Sequence, residues 1–576
     1  MSKFYIKCVL PHILYQMESF KSLANYRSAI AKTPQRLWTG IKSRSLDSHE
    51  INELTARSGS VMKKNLTWWD LICFGIGSVI GAGIFVLTGL QARNVAGPAI
   101  ILSFVVSGIS ALLSVLCYTE FAIDIPVAGG SFAYLRVELG EFVAYIAAGN
   151  IILEYIISTA AVARAWTSYF ATLFNYEPNN FRIHVDSLPE DLSYLDPIAV
   201  AIIAIICVLV VYSTKTSSTI NIVASVIHVA SIIFMIIAGL TKADLSNIAN
   251  FAPFGVQGIF NSSAVLFFAY VGFDAVSTLA EETKNPAKDI PIGLVGAMTI
   301  TIVVYCALSA TLCLMQPYDT IDVNAPFSIA FQHAGMKWAK IIVALGALKG
   351  MTTVLMGSAV GQARYLTHMA RTNLVPSFLA KVHPKYGTPM NASITMLGLG
   401  SVVALFTGIH ILADLLSISA LFIFMLVAVG LLVRRYYVTG QTSKLDRNKL
   451  VGSLVMIIAS SVATSFCYAQ EVQPAICYGV TLPFWFLSTL YMQVFVPKAR
   501  TPKVWGVPFV PWLPSLSIFL NIFLLGSIDP KSFVRFSIWT GILLLYYCLV
   551  GVHVAHDHAN KPQPEPMIER VPSEQV

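Results

Sequence analysis

The sequence predicts an all-α polytopic membrane protein, and composition, the recurrence of apolar runs and the placement of charge each point there. Of 576 residues, 56% are hydrophobic and only 12% charged, with mean hydropathy +0.69. A soluble domain carries about 25% charged residues. Runs of ~20 apolar residues, the length that crosses a bilayer as a helix, recur about 14 times from end to end. Positive charge collects in alternate loops, as cytoplasmic loops require. No metal-ligand spacing, phosphate-binding loop or nucleophile-base arrangement is present, so neither an enzyme nor a cofactor is expected. In a chain of this class the formal charge of +8 does not point to nucleic acid, and no obligate protein partner is inferred.

The first 66 residues hold eleven Lys or Arg against four Asp or Glu. They are expected to be a basic cytoplasmic tail, either solvated or lying against anionic lipid. The apolar core and cleavage site of a signal peptide are missing from it, so the first span is expected to serve as the targeting signal. Spans are expected at 70–91, 97–119, 141–170, 196–213, 220–240, 258–280 and 291–315, then at 338–365, 390–408, 410–433, 450–470, 475–497, 508–527 and 535–555. With the N-terminus inside, three basic groups become cytoplasmic: Lys381 and Lys385; Arg434, Arg435, Lys444, Arg447 and Lys449; Lys498, Arg500 and Lys503. The acidic 171–195 loop, with Glu177, Asp186, Glu190 and Asp191, falls outside. An even number of spans returns the 556–576 tail to the cytoplasm. Most of the nine cysteines, Cys73, Cys117, Cys207, Cys306, Cys467 and Cys548 among them, lie in apolar spans and read as small core residues rather than disulfides.

Within the first span, Gly75, Gly77, Gly81 and Gly83 crowd nine residues. Glycine costs a helix roughly 1 kcal/mol against alanine at each interior position. Two explanations are open, close packing against another helix or an unwound stretch. Hydrocarbon leaves freed backbone groups without partners, so an unwound stretch must be enclosed by protein or line a cavity. Five spans later, Gly272 and the ionisable Asp274 interrupt the apolar run Phe267-Phe-Ala-Tyr-Val-Gly-Phe-Asp-Ala-Val-Ser277. A carboxylate there must face the protein interior or water. Two breaks five spans apart are the mark of inverted-repeat transporters, whose substrate site lies where the first helix of each repeat is interrupted. The expected organisation is a tail over 1–66, a first repeat over 67–240, a second over 241–435, four additional helices within 436–555 and a C-terminal tail over 556–576. Half-helix N-termini suit a carboxylate and unwound carbonyls an ammonium group. A free amino acid carries both.

Gly77 to Gly89, Gly-Ser-Val-Ile-Gly-Ala-Gly-Ile-Phe-Val-Leu-Thr-Gly, resembles the first helix of the amino acid, polyamine and organocation permeases. Phe267 to Pro286 is similar to that superfamily's sixth helix and the loop after it. Glu120-Phe-Ala, Ile125-Pro-Val-Ala-Gly-Gly-Ser, Ser158 to Trp166 and Val507 to Ser515 resemble the cationic amino acid transporter branch, in a plant-type form, over roughly residues 60 to 555. The resemblance implies a LeuT-like core of two five-helix repeats. It also implies that Val79, Gly81, Ala82, Gly83 and Ile84 and, in the second break, Phe268, Ala269, Val271 and Asp274 hold the substrate's α-carboxylate and α-amino groups, largely through backbone atoms.

Side chains elsewhere bear two readings each. Mid-span Glu154 either faces the cavity to pair with a guanidinium or ammonium group, or locks a neighbouring helix. Ser358, beside Gly357 and Ala359, either leaves room for a long substrate or serves packing. His228 matches a fifth-helix position where some bacterial relatives carry lysine. It is either a proton-coupling residue, since histidine titrates near neutral pH, or hydrogen-bonded structure. Arg164 is expected in a structural network at the end of the third span, and Glu120 and Arg136, which flank the first cytoplasmic loop, are expected by analogy alone to gate it. The expected function is uptake of arginine and lysine, with histidine and ornithine as further candidates, across the plasma membrane by alternating access. The drive would be a proton gradient or the membrane potential. The alternatives are a permease for neutral amino acids such as glutamine, a vacuolar exporter, and a receptor that signals without much flux.

Overall fold

The computed structural model describes residues 18–42, 66–125, 130–189, 192–212, 218–277, 279, 283–371, 375–384, 386–470, 474–502 and 504–559. Parts of both expected tails, together with Glu190, Asp191, Lys385 and Lys503, lie outside them. Helices account for nearly all of the described chain. After two short N-terminal helices, α1 (Leu23–Ala31) and α2 (Thr33–Lys42), come α3 (Trp68–Val79), α4 (Ile100–Asp124), α5 (Gly130–Leu139), α6 (Glu141–Leu173), α7 (Pro197–Tyr212) and α8 (Ser218–Leu240). The chain continues through α9 (Gly255–Leu266), the single turn α10 (Asp274–Ser277), α11 (Pro286–Met315), α12 (Pro326–His333), α13 (Lys337–Arg371), α14 (Met390–Phe406) and α15 (Ile409–Tyr436). It closes with α16 (Lys444–Ala469), α17 (Pro474–Phe495), α18 (Trp512–Leu525), α19 (Pro530–Tyr546) and α20 (Val552–Ala559). The strands named among the described residues are β1 (Ile183–His184) and β2 (Tyr194–Leu195), an antiparallel ribbon between α6 and α7 that pairs Ile183 with Leu195.

Among the described residues, 7 helical runs are long and apolar enough to cross a membrane. Shorter apolar helices fall on several of the remaining expected spans. The first and sixth expected spans fail a length test for a physical reason: each is broken. α3 ends at Val79, Ile80 turns to an extended conformation at ψ 99°, and helix resumes at Gly83. α9 ends at Leu266, a 3-10 turn runs over Phe267–Tyr270, Val271 is extended at ψ 142°, and α10 starts at Asp274.

α6 and α15 form the centre of the bundle, with 78% of the apolar window buried in each. Where α4, α5 and α15 end together, a buried ionic cluster ties them. Arg435 donates from Nη2 to Oε2 of Glu120 at 2.8 Å, and the same oxygen accepts from the Val507 N–H at 2.8 Å. Arg434 pairs with both Asp124 and Glu138. Glu120 is thus an anchor between α4, α15 and the segment leading into α18. At another helix end, Arg164 donates to the carbonyls of Thr407 at 2.8 Å and Tyr194 at 2.9 Å. That is the structural network expected for it.

The N-terminal segment departs from the expected solvated or lipid-bound tail. Ser19 donates through N–H and Oγ to the Asp557 carboxylate at 2.8 and 2.9 Å, and Arg36 lies 2.9 Å from His553 Nδ1. Tyr26 donates to Leu549 O at 3.1 Å, and Phe20 packs with Val554. Positive charge marked this segment as polar. Its few apolar residues and the Asp557 partner, more than 500 positions away, decide where it sits.

Candidate functional site

The two helix breaks meet. A methyl group at Gly83 would lie 2.4 Å from Cα of Ala269, so the backbones touch there and no larger residue fits. Gly272 holds φ +117°, a conformation L side chains rarely adopt, with Ser78 O 2.7 Å from where its Cβ would stand. Ser78 Oγ also donates to Gly272 O at 3.2 Å. The glycines therefore serve both functions weighed in the sequence: they break the helix, and they let the two breaks close on each other.

Unwinding frees carbonyls that lipid cannot satisfy, and a tyrosine from α11 takes up that role. The Tyr305 hydroxyl lies 2.8 Å from Ala269 O and 3.1 Å from Val79 O, one carbonyl from each break. Tyr169 of α6 donates to Phe85 O at 2.7 Å, just beyond the first break. Neither tyrosine was singled out from the sequence. The signal was a hydroxyl inside an apolar span, too common to stand out without its partner.

Val79, Ala82, Ile84, Phe268 and Ala269 are buried, while Val271 and Asp274 are half-buried. The structure brings all of them to the junction, together with Gly81 and Gly83. Glu154 of α6 is buried and lies within electrostatic reach of Asp274, with the Tyr155 and Tyr365 hydroxyls close to both carboxylates and Tyr118 beside them. Two carboxyl groups ringed by tyrosines form an acidic centre enclosed by α4, α6, α10 and α13. Two like charges within electrostatic reach of each other in a medium of low dielectric repel, so this centre suits a cationic group.

α13 lines the same centre along one face. Val354, Ser358 and Gly361 are spaced four and three apart, which places them in one row of a helix. Val354 lies 3.1 Å from where a Cβ at Gly81 would stand, and the Tyr155 hydroxyl is 3.8 Å from that point at Gly361. Ser358 Oγ, between them, is buried without a hydrogen-bond partner among the described residues, and Gly357 beside it has no atom within 4 Å of its Cβ position. One turn on, Gln362 is fully buried with neither amide atom hydrogen-bonded among the described residues. Sequence reasoning passed over Gln362, because nothing separates a buried amide from a lipid-facing one until the helix is oriented.

His228 stands apart from the acidic centre. It is on α8, behind the first break, with its ring 5.9 Å from that of Phe85 and packed on Gly350 so closely that a methyl group there would lie 2.2 Å from it. The backbone of Ile80 and Gly346 and the side chain of Lys349 are its electrostatic neighbours. Both ring nitrogens are buried, with the backbone of Ile80 and Gly346 near them but outside strict hydrogen-bond geometry. The backbone of Ile80 and Gly346 lies within reach of the ring, so a hydrogen-bonded structural histidine stays one of its two readings.

Residues 66–511 match the family described as Amino acid permease, and residues 505–555 match the C-terminus of that permease. The chain is 65% identical to Cationic amino acid transporter 1 of Arabidopsis thaliana over 94% of its own length and 91% of that protein's. It is 55% identical to Cationic amino acid transporter 5 of the same plant over 94% of this chain and 96% of the relative. To Cationic amino acid transporter 8, vacuolar, it is 48% identical over 96% and 93%. A transporter family rather than an enzyme accounts for an acidic, glycine-lined junction between broken helices, and this chain belongs to it: a plant-type cationic amino acid transporter of the amino acid-polyamine-organocation superfamily.

Proposed function

We propose that the chain is a secondary active transporter that imports arginine and lysine, with histidine and ornithine as further candidates, across the plasma membrane by alternating access. The observation that carries this reading is the meeting of the two breaks beside the Glu154 and Asp274 carboxyl groups. In this reading the backbone of Val79, Gly81, Ala82, Gly83 and Ile84 and of Phe268, Ala269 and Val271 holds the amino acid's α-groups. Glu154 and Asp274 face its cationic end, and Ser358 leaves room for the long side chain. Residues 67–240 and 241–435 are the two inverted repeats, and both termini are cytoplasmic.

A monovalent cation gains about 2.3 kcal/mol per 100 mV on entering a negative interior, so membrane potential alone supports accumulation. His228 adds proton coupling in this proposal. A buried imidazole beside the first break has protonation states that differ in charge where the helix must move. The test is arginine-evoked current under voltage clamp at two external pH values, with wild type beside His228→Asn. Current that rises at acid pH in the wild type and loses that dependence in the variant supports the proposal. A robust current indifferent to pH returns His228 to a structural role and leaves a uniporter or exchanger.

A vacuolar location is the second reading, supported by the vacuolar designation of the 48% identical relative. A fluorescent fusion followed in plant cells separates the two membranes, and competition of labelled arginine uptake by glutamine separates cationic from broad specificity. Binding of arginine with negligible uptake would favour a receptor instead.

A further inference from the structure

Two cysteines, Cys467 and Cys477, are partly exposed where the sequence reading expected small core residues. Cys467 is in the last turn of α16 and Cys477 in the first turn of α17, and their Sγ atoms lie 2.6 Å apart. Carbon atoms, smaller than sulfur, rest at ~3.5–4.0 Å when not bonded, whereas bonded sulfurs stand about 2.0 Å apart. Thiols held so close have no comfortable unbonded arrangement. Both side chains are partly exposed, so an oxidant has access. Ala469, Gln470 and Pro474 stand at the neighbouring ends of α16 and α17.

The face on which these helix ends lie follows from charge. α16 begins at Lys444, with Arg447 and Lys449 in its first turns, directly after Arg434 and Arg435 at the end of α15. Basic ends of this kind belong to the cytoplasm, which puts the opposite end of α16, and Cys467 with it, on the extracytoplasmic side. That side is the oxidising one, where disulfides form and persist. The step rests on the membrane orientation proposed above.

We infer that Cys467 and Cys477 are a disulfide-forming pair that ties α16 to α17 at the extracytoplasmic rim. The oxidant is the disulfide of a thiol-disulfide oxidoreductase of the secretory pathway. Each cysteine gives up a proton, one sulfur–sulfur bond forms between them, and the electron pair reduces the oxidoreductase's disulfide to two thiols. The bond has a place to act. Tyr468, next to Cys467, donates to Gln257 O at 3.3 Å and packs its ring 5.7 Å from Phe260, both on α9, the first half of the broken sixth span. The pair therefore fixes the helix end that buttresses that half-helix.

The experiment uses full-length protein expressed in a eukaryotic secretory pathway, with free thiols blocked by N-ethylmaleimide at lysis. Cleavage after Glu471, which lies between the cysteines, separates them into two peptides. The inference expects a linked peptide pair lighter by two hydrogens than the sum of the free thiol peptides, released by reductant. Cys467→Ser and Cys477→Ser are each expected to abolish the link and leave the remaining cysteine alkylated. Recovery of both wild-type cysteines as maleimide adducts, even after treatment of cells with diamide, overturns it, as does pairing of either with another cysteine. The wild-type measurement stands even if a serine variant folds poorly. Labelling of reduced, intact cells with a membrane-impermeant maleimide reports the orientation separately. Labelled but unlinkable thiols overturn the disulfide alone, whereas thiols that stay unlabelled in intact cells and react once digitonin opens the plasma membrane alone, with internal membranes sealed, are cytoplasmic and overturn the orientation and the disulfide with it.

Discussion

Adding one methyl group to each of three glycines probes whether the two breaks must touch. At Gly83 the new Cβ would lie 2.4 Å from the Ala269 Cα, about 1 Å short of the ~3.5 Å at which carbon atoms rest. A backbone atom cannot rotate away, so the two broken spans must separate. Overpacking typically costs 1–3 kcal/mol, and a backbone clash belongs at the upper end, about 2–3 kcal/mol. At 1.4 kcal/mol per tenfold, Gly83→Ala is expected to weaken arginine binding roughly 30- to 150-fold. Gly81→Ala meets only Val354 Cγ2 at 3.1 Å, a side chain able to shift by a few tenths of an ångström. Its loss should stay below about fivefold, or under ~1 kcal/mol. Gly357→Ala meets no atom within 4 Å and should leave the fold unstrained, its effect confined to substrate size. The assay is labelled arginine uptake and binding in proteoliposomes at matched protein content, with thermal stability measured alongside. If Gly83→Ala binds arginine as well as Gly81→Ala does, the breaks do not need to meet, and the assignment of the junction as the site fails.

Tyr305→Phe removes the hydroxyl that serves Ala269 O and Val79 O. A buried acceptor left without its donor costs about 1–3 kcal/mol, so arginine affinity should fall at least about fivefold with little change in expression, as ligand-dependent thermal shifts will read. Arg435→Ala strands Glu120, which is 1% exposed. Breaking a buried pair costs about 3–5 kcal/mol, and the variant should lose its monodisperse peak in size-exclusion chromatography, whereas Glu120→Leu with Arg435→Met should recover part of it. Asp557→Ala removes both acceptors of Ser19. Trypsin should then cut the N-terminal segment at Lys21 and Arg27 several-fold faster, and an unchanged cutting rate would show that the docked segment does not depend on this contact.

How far the sequence reached can be judged from particular residues. The glycines at 75 to 83, and Gly272 beside Asp274, pointed to the two breaks because they recur five spans apart, where inverted-repeat transporters interrupt the first helix of each repeat. Length, apolar runs and loop charge were enough for an all-helical membrane fold, since hydrocarbon leaves an unpaired backbone few alternatives. Tyr305, Tyr169 and Gln362 gave no such warning. Each is a polar group in an apolar span, and its meaning depends on which carbonyl or cavity it faces, set by helix rotation and by neighbours more than 30 positions away.

Glu154 and Asp274 mark the same boundary. Their presence mid-span was legible as function, because a carboxyl group facing lipid is too costly to keep. Their proximity, and the tyrosines around them, came only from packing α6 against α10 and α13. The contact between Ser19 and Asp557 and that between Cys467 and Cys477 were likewise decided by tertiary structure. Solvent preference and helix periodicity are local and can be read along the chain, whereas which buried groups satisfy one another is fixed only when distant helices are brought into register.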